Sequence, residues 1–334
     1  VKASHYIGID LGATMVKLGI VTRNGKLCAK QQIPTDGVAD PSVFIQAMGA
    51  LIDDLLGRTA IETGAVGAIG VGAPGWVDHR RGVVRELTNL SGWEEFPLAD
   101  ELEKALGWKS FVDNDANVMG LAELVHGAGR GHRNLICLTL GTGVGGAIII
   151  DGSIYRGNAG LAGEIGHIPV DPRGPQCACG GTGCLENYVG NRPIVADALS
   201  RLNALPDKGR DGIMLGMVQN HPERMTAGIV AAAAEQGDEI ALETWREAGR
   251  RLGAALGGLV NLLNPECFII GGGLAKAGDI LFDPARQALE SQAMNELGRS
   301  TPIIRAGLGE HAGIVGAATF AMTCSEGLSY SPTE

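Results

Sequence analysis

Cys177, Cys179 and Cys184 crowd three thiols into the run CACGGTGCLE, and Glu186 closes it with a carboxylate. In a reducing compartment such a cluster holds a metal more readily than a disulfide. Zinc takes four nitrogen or sulfur ligands in a tetrahedron, so three sulfurs leave one position to fill. His167, in GEIGHIPV, lies ten residues before Cys177 and is the nearest of seven histidines. A Cys3His set is complete, which makes the expected zinc structural, with no open position to activate water. Such an ion would pin two loops together. Glu164 precedes His167 by three residues and Glu186 follows Cys184 by two, so both carboxylates would stand rigidly as acceptors for a polyhydroxyl ligand. The plainer alternative is a glycine-rich loop with free thiols.

Two further groups could do chemistry. VDNDAN sets Asp113 and Asp115 at the C-terminal end of an apolar strand, just before a helix, where ligand sites of open α/β sheets concentrate. The competing role for Asn114 or Asp115 is to cap that helix. Three glycine turns follow apolar strands: GIDLGAT with Thr14, LGTGVGG with Thr142, and IIGGG, whose bare glycines could face a flat adenine. Glycine lets backbone N–H groups come close to phosphate oxygens. Asp10, two residues before the first turn, could orient a metal-bound water beside a phosphate, or serve only the turn. Each turn alone is as readily a tight hairpin; three together point to a nucleotide. No Walker A motif occurs, and no G-x-G-x-x-G leads into a helix, which disfavours a dinucleotide fold and a nicotinamide oxidoreductase.

The elements that must hold these groups alternate between strands and helices. Tyr6 to Pro34 reads as three strands joined by a glycine turn and by Asn24-Gly25, a strong hairpin signal. Ser42 to Leu56 has helical apolar spacing, with Ser42 or Asp40 as its cap. Ala65 to Asp78 is a buried strand entering a Gly/Pro loop, Pro97 to Gly107 a short helix, and Ser110 to Gly129 a strand, a polar turn and a helix. Asn134 to Gly157 then repeats the opening. Leu140-Gly141-Thr142-Gly143 stands for Leu11-Gly12-Ala13-Thr14, and Asp151-Gly152 for Asn24-Gly25. A duplicated nucleotide-binding domain would leave such a trace. The remainder is largely helical, with a long helix over Ile240 to Asn264, a strand over Cys267 to Ala275 and a last helix over Ala312 to Met322.

Composition sets the outer limits. The chain has 334 residues, 45% of them hydrophobic, which suggests two domains. Aromatics make up only 4%, too few for stacking platforms on single-stranded nucleic acid. A net charge of −10 argues against a polyanionic partner, though a few backbone N–H groups suffice for a small phosphorylated ligand. VKASHYIGID shows no signal-peptide pattern, and no apolar run is long enough to span a membrane. Cys28, Cys137, Cys267 and Cys324 stand isolated, as reduced thiols would in the cytoplasm.

On these motifs the chain resembles the ROK family of sugar kinases and sugar-responsive repressors, and within it the bacterial ATP-dependent glucokinases. The family pattern C-x-C-G-x-x-G-C-x-E is met by Cys177, Cys179, Gly180, Gly183, Cys184 and Glu186; E-x-G-H by Glu164, Gly166 and His167; N-D-A-N by Asn114 to Asn117. TNLSGW, Thr88 to Trp93, stands for a further segment, and similarity runs from about Tyr6 to Met322.

The resemblance implies an actin-like, ribonuclease-H-like α/β ATPase fold in two lobes with an interlobe active site. Residues 1–117 would form a small lobe, with a helix over about 312–326 packing back on it, and 118–311 a larger lobe with the zinc loop. Asp115 would be the general base. Gly75, Asn89, Asn114, Glu164, His167 and Glu186 would bind sugar. ATP with Mg2+ would lie on Asp10, Gly12, Thr14, Lys17, Thr142 and Gly143, its adenosine near Gly272 and Gly273. His167 would share a zinc with Cys177, Cys179 and Cys184 through one ring nitrogen. The implied reaction is ATP-dependent phosphorylation of a hexose, glucose first, with N-acetylmannosamine, N-acetylglucosamine or fructose as alternatives that use the same acceptors. A sugar-sensing regulator of the same family is the rival. Only about six residues precede the first strand, too few for a helix-turn-helix, and the charge points away from DNA. The family suggests a homodimer or homotetramer, with no nucleic-acid or membrane partner. Ala13 and Thr88 depart from the family's usual Gly and Pro.

Overall fold

The computed structural model describes residues 3–87, 92–205 and 212–328; Thr88 and Asn89 lie outside them. In chain order its strands are β1 (His5–Leu11), β2 (Met15–Thr22), β3 (Leu27–Pro34), β4 (Val66–Ala73), β5 (Trp76–Asp78), β6 (Val83–Glu86), β7 (Ser110–Asn114), β8 (Leu135–Leu140), β9 (Val144–Ile150), β10 (Ser153–Tyr155), β11 (Cys267–Gly271) and β12 (Ile303–Arg305). Its helices are α1 (Pro41–Thr59), α2 (Leu98–Leu106), α3 (Asp115–His126), α4 (Asn191–Asn203), α5 (Ile213–Met217), α6 (Ala227–Glu235), α7 (Glu239–Leu263), α8 (Asp279–Gln292), α9 (Glu296–Arg299) and α10 (Ala312–Glu326).

Among the described residues two sheets have five strands each, ordered β3-β2-β1-β4-β7 and β10-β9-β8-β11-β12. The two orders are the same: third, second, first, fourth, fifth. The matching turns at Asn24-Gly25 and Asp151-Gly152 therefore mark equivalent hairpins, as a duplicated domain requires. Gly25 has φ +79° and Asp151 and Gly152 φ +50° and +75°, the left-handed geometry such hairpins use.

The chain divides into two compact units, Val1–Cys137 with Ala147–Gly163 and Ala306–Glu334, and Leu138–Gly146 with Glu164–Arg305. This differs from an expected break after residue 117. In the first unit α10 packs against β1, β4 and α3, so α3 stays with the sheet that precedes it. The reason is steric. Gly8 in β1 and Gly70 in β4 carry no side chain, and a Cβ there would come within 1.9 Å of the Ile314 carbonyl oxygen and 1.8 Å of the Ala317 carbonyl oxygen. Gly316 does the same toward Val118, 2.0 Å from its carbonyl oxygen. With contacts this close α10 is buried on all sides from Gly313 to Met322.

Local signals set the helix ends. Asp40, not Ser42, caps α1, accepting from the Ser42 N–H at 2.8 Å and the Val43 N–H at 3.2 Å. Gly107, at φ +80°, stops α2. In the second unit Asp238 caps α7, and Gly249, Gly253 and Gly257, one turn apart, let α8 lie close along it. Strand β11 ends sooner than expected, at Gly271, because Gly272 turns at φ +86° into a 3-10 turn over Leu274–Ala277. No helix among the described residues is long and apolar enough to cross a membrane.

Candidate functional site

In the first unit β1, β4 and β7 run parallel, and their register sets Asp10 beside Gly72 and Gly72 beside Asp113. The expected groups thus gather at the C-terminal edge of that sheet, where ligand sites of open α/β sheets form. Asp10 is 5% exposed. Lys17, its antiparallel partner on β2, approaches its Oδ2 at 3.8 Å. Burial pushes the Asp10 carboxyl above its ordinary range, and Lys17 opposes that. Gly313 in the first turn of α10 leaves room for this carboxylate; a Cβ there would lie 2.4 Å from its Cγ. The Gly12 N–H closes its turn on the Met15 carbonyl at 3.2 Å, and Ala13 and Thr14 at the tip are exposed.

Asn114 and Asp115 share the start of α3, the Oδ1 of each accepting from the Ala116 N–H, at 2.8 Å for Asp115. Asn114 is the cap of α3, its Oδ1 accepting from the Ala116 N–H at 2.9 Å and the Asn117 N–H at 3.3 Å. Its Nδ2 donates to the Gly75 carbonyl at 3.2 Å. Gly75 needs φ +80° and a bare Cα there, since a Cβ would meet the Glu86 carbonyl oxygen at 2.4 Å. Asn114 therefore holds the Gly75 loop and the helix start, and Asp115, the first residue of α3, is half-buried. Beneath them Asp113 is 2% exposed and takes Nε and Nη2 of Arg156 at 3.0 and 2.5 Å. Nothing in the sequence singles out Arg156; it is 43 residues from Asp113, and no spacing rule links them. Asn89 lies outside the described residues.

In the second unit the segments bearing the thiols and the imidazole lie together. Pro169 bridges Cys184 as an isolated β-pair, and the Leu185 N–H donates to the Ile168 carbonyl at 2.9 Å. The ligand atoms of His167, Cys177, Cys179 and Cys184 all lie within 4.8 Å of one another. His167 Nδ1 is 3.7 Å from Cys177 Sγ, and Cys179 Sγ is 3.7 Å from Cys184 Sγ. A tetrahedral zinc with bonds of about 2.3 Å to sulfur has ligand edges of about 3.8 Å. The donor set and its spacing fit zinc. Burial, with the neighbouring thiols adding to it, pushes the Cys184 thiol up to about 12, a cost that a bound cation would reverse. His167 Nε2, the ring nitrogen other than the one set against Cys177, lies 4.0 Å from Glu164 Oε2.

Glu186 is tied down separately: its Oε2 accepts from the Val144 N–H at 2.9 Å. Gly143 makes room for it, since a Cβ would fall 2.3 Å from that oxygen. Gly272 is equally constrained, by its φ and by the Leu140 backbone, whose carbonyl oxygen a Cβ would approach to 2.3 Å. Gly141 and Gly273, by contrast, have open space where a Cβ would stand. Of the glycines assigned to nucleotide, Gly143 and Gly272 are thus glycine for packing reasons, and Gly273 and the neighbouring Gly141 offer bare backbone.

Over residues 6–323 the chain matches the model of the ROK family. It is 37% identical to the glucokinase of Streptomyces coelicolor over 320 residues, 94% of this chain and 96% of that protein. Among solved structures it resembles a ROK family glucokinase from Streptomyces griseus in complex with glucose and AMPPNP, at 35% identity and a TM-score of 0.82, over 96% of this chain and 99% of that one. It also resembles a ROK family transcriptional regulator, a homologue of the Escherichia coli MLC protein, at 27% identity and a TM-score of 0.85, over 97% of this chain and 79% of that one. The chain belongs to the ROK family, with the actin-like ATPase fold of its sugar kinases.

Proposed function

We propose that this protein is an ATP-dependent hexokinase that converts glucose to glucose 6-phosphate. The observation that carries the reading is the likeness, over 96% of the chain, to a glucokinase solved with glucose and AMPPNP. Asp115 is the general base. As O6 of the sugar bonds to the γ-phosphorus, its proton passes to the Asp115 carboxylate, and the bond from that phosphorus to the bridging oxygen breaks to release ADP. Asn114 caps α3, and the Asp115 carboxylate, whose Oδ1 also accepts from the Ala116 N–H at 2.8 Å, stands at the same helix start. Glu164, Glu186 and His167 Nε2 hold ring hydroxyls, with Gly75, Asn89 and Asn114 completing the contacts. Asp10, Lys17, the Gly12 to Thr14 turn, Thr142, Gly143, Gly272 and Gly273 serve ATP with Mg2+. Zinc bound by His167, Cys177, Cys179 and Cys184 supplies rigidity, fixing the imidazole so that it meets the sugar in one orientation. We assign the protein to the cytoplasm, where isolated thiols such as Cys28, Cys137, Cys267 and Cys324 stay reduced.

A coupled assay for ADP tests the reading with glucose, N-acetylmannosamine, N-acetylglucosamine and fructose, on the native protein and on Asp115→Asn. Glucose is expected to give the highest kcat/KM. Asp115→Asn is expected to bind glucose normally by calorimetry and to lose about 10²–10⁴-fold in kcat; near-native turnover would refute the assignment. The likeness to a transcriptional regulator, at a TM-score of 0.85, supports a second reading as a sugar sensor. Sugar binding without ADP formation would favour it.

A further inference from the structure

We infer that Arg251, on α7, is a positioning residue for the sugar-binding loops, clamping from the helix side the two segments that the metal joins from the other. All four contacts converge from one side chain. Its Nε donates to Glu247 Oε1 at 2.7 Å, Nη1 to the Val170 carbonyl at 3.3 Å, and Nη2 pairs with Asp171 Oδ2 at 3.1 Å. The guanidinium lies over the Tyr188 ring, 4.6 Å from its centroid. The Tyr188 hydroxyl closes the set by donating to Asp171 Oδ2 at 3.2 Å. A planar fork that also stacks on an aromatic face is what arginine supplies and lysine does not.

The two segments so held are those that matter. Asp171 follows His167 by four residues, and Tyr188 follows Glu186 by two. Between them the backbones touch: the Val170 and Asp171 N–H groups both point to the Gly183 carbonyl, at 2.9 and 3.3 Å. A Cβ on Gly183 would lie 1.7 Å from the Asp171 carbonyl oxygen. Arg251 and Asp171 are largely shielded, their side chains 28% and 23% exposed, so this pair is less screened than a surface one. Its neighbour Arg250 offers a contrast. It binds Glu243 and Glu247 on the more exposed face and, among the described residues, makes no bond to either loop. The clamp thus lets α7 hold Glu186 and His167 in place without touching sugar or metal. The link to sugar rests on the proposed function; the link to metal does not.

The test uses zinc-loaded full-length protein and reads the rate of zinc release to an excess of chromogenic chelator, with KM for glucose and for ATP measured alongside. Arg251→Met is expected to release zinc about tenfold faster or more and to raise the glucose KM while the ATP KM stays unchanged. Arg251→Lys should recover part of the loss, and Arg250→Met should behave as the native protein. A folded Arg251→Met that releases zinc at the native rate overturns the inference, as does equal acceleration by Arg250→Met. If Arg251→Met does not fold, Tyr188→Phe decides. About threefold faster release, the scale of one hydrogen bond, upholds the clamp, and the native rate overturns it. Fast release with a native glucose KM upholds the clamp and counts against the sugar role of His167 and Glu186.

Discussion

Gly143 lacks a side chain because the Glu186 carboxylate occupies that space. Gly143→Ala should therefore push Glu186 off its Val144 N–H, raising the glucose KM by about tenfold, the scale of one hydrogen bond to a charged group, with little change in the ATP KM. Steady-state kinetics with each substrate varied checks this; a rise confined to ATP would return Gly143 to the nucleotide alone. The thiols and His167 were legible because their types and spacing fit one ion, and their ligand atoms do cluster. Between Asn114 and Asp115, sequence left open which one caps α3; both accept from the Ala116 N–H, and it is Asn114's extended backbone and its further bond from the Asn117 N–H that make it the cap. Arg156 under Asp113 and Arg251 beside Asp171 were not legible, since each pair joins residues far apart in the chain, 43 and 80 positions.

Helix α10 was read in kind from its own residues, while its return to the first unit was expected from the family resemblance and is made by α10 packing on β1, β4 and α3. The run AGIVGAATFAM is apolar on every face, and such a helix is expected to be buried. What it packs on depends on two glycines elsewhere, Gly8 and Gly70, whose spacing within strands looks like any loose glycine usage. Gly70→Ala would drive a methyl into the Ala317 carbonyl, forcing α10 off the sheet. Overpacking of this kind costs about 1–3 kcal/mol or more. Urea unfolding should show a clear drop in midpoint, and an unchanged midpoint would mean that α10 shifts freely. Helix caps were easier to read, because Asp40-Pro41 and Gly107 act through their own backbone neighbours. The end of β11 was missed by a few residues because three glycines in a row conceal which one turns.

At the scale of the molecule, the turns alone revealed the repeat that both sheets share, because turn chemistry is local. The unit boundaries were not legible, because the chain returns to its first unit at Ala147–Gly163 and again at Ala306–Glu334. Stability should also depend on pH through histidines. Burial, and then Arg130, hold the His126 imidazole below its usual range, and its Nε2 has no hydrogen-bond partner in the described structure. His79 is depressed in the same direction, by burial and then Arg156. The unfolded chain binds these protons more readily, so their contribution is full above a pH of about 6.5 and is lost as pH falls toward the depressed native values. Urea midpoints from pH 7.5 down to 5.5 should fall, and His126→Asn should flatten part of that fall; an equal slope in the variant would remove His126 from the account.

The most direct test of the central claim is phosphorus NMR of the purified protein with ATP, Mg2+ and glucose. The account predicts a glucose 6-phosphate resonance growing one for one with ADP, and none when 6-deoxyglucose replaces glucose. ADP accompanied only by inorganic phosphate, or no turnover in folded, zinc-loaded protein, would contradict it.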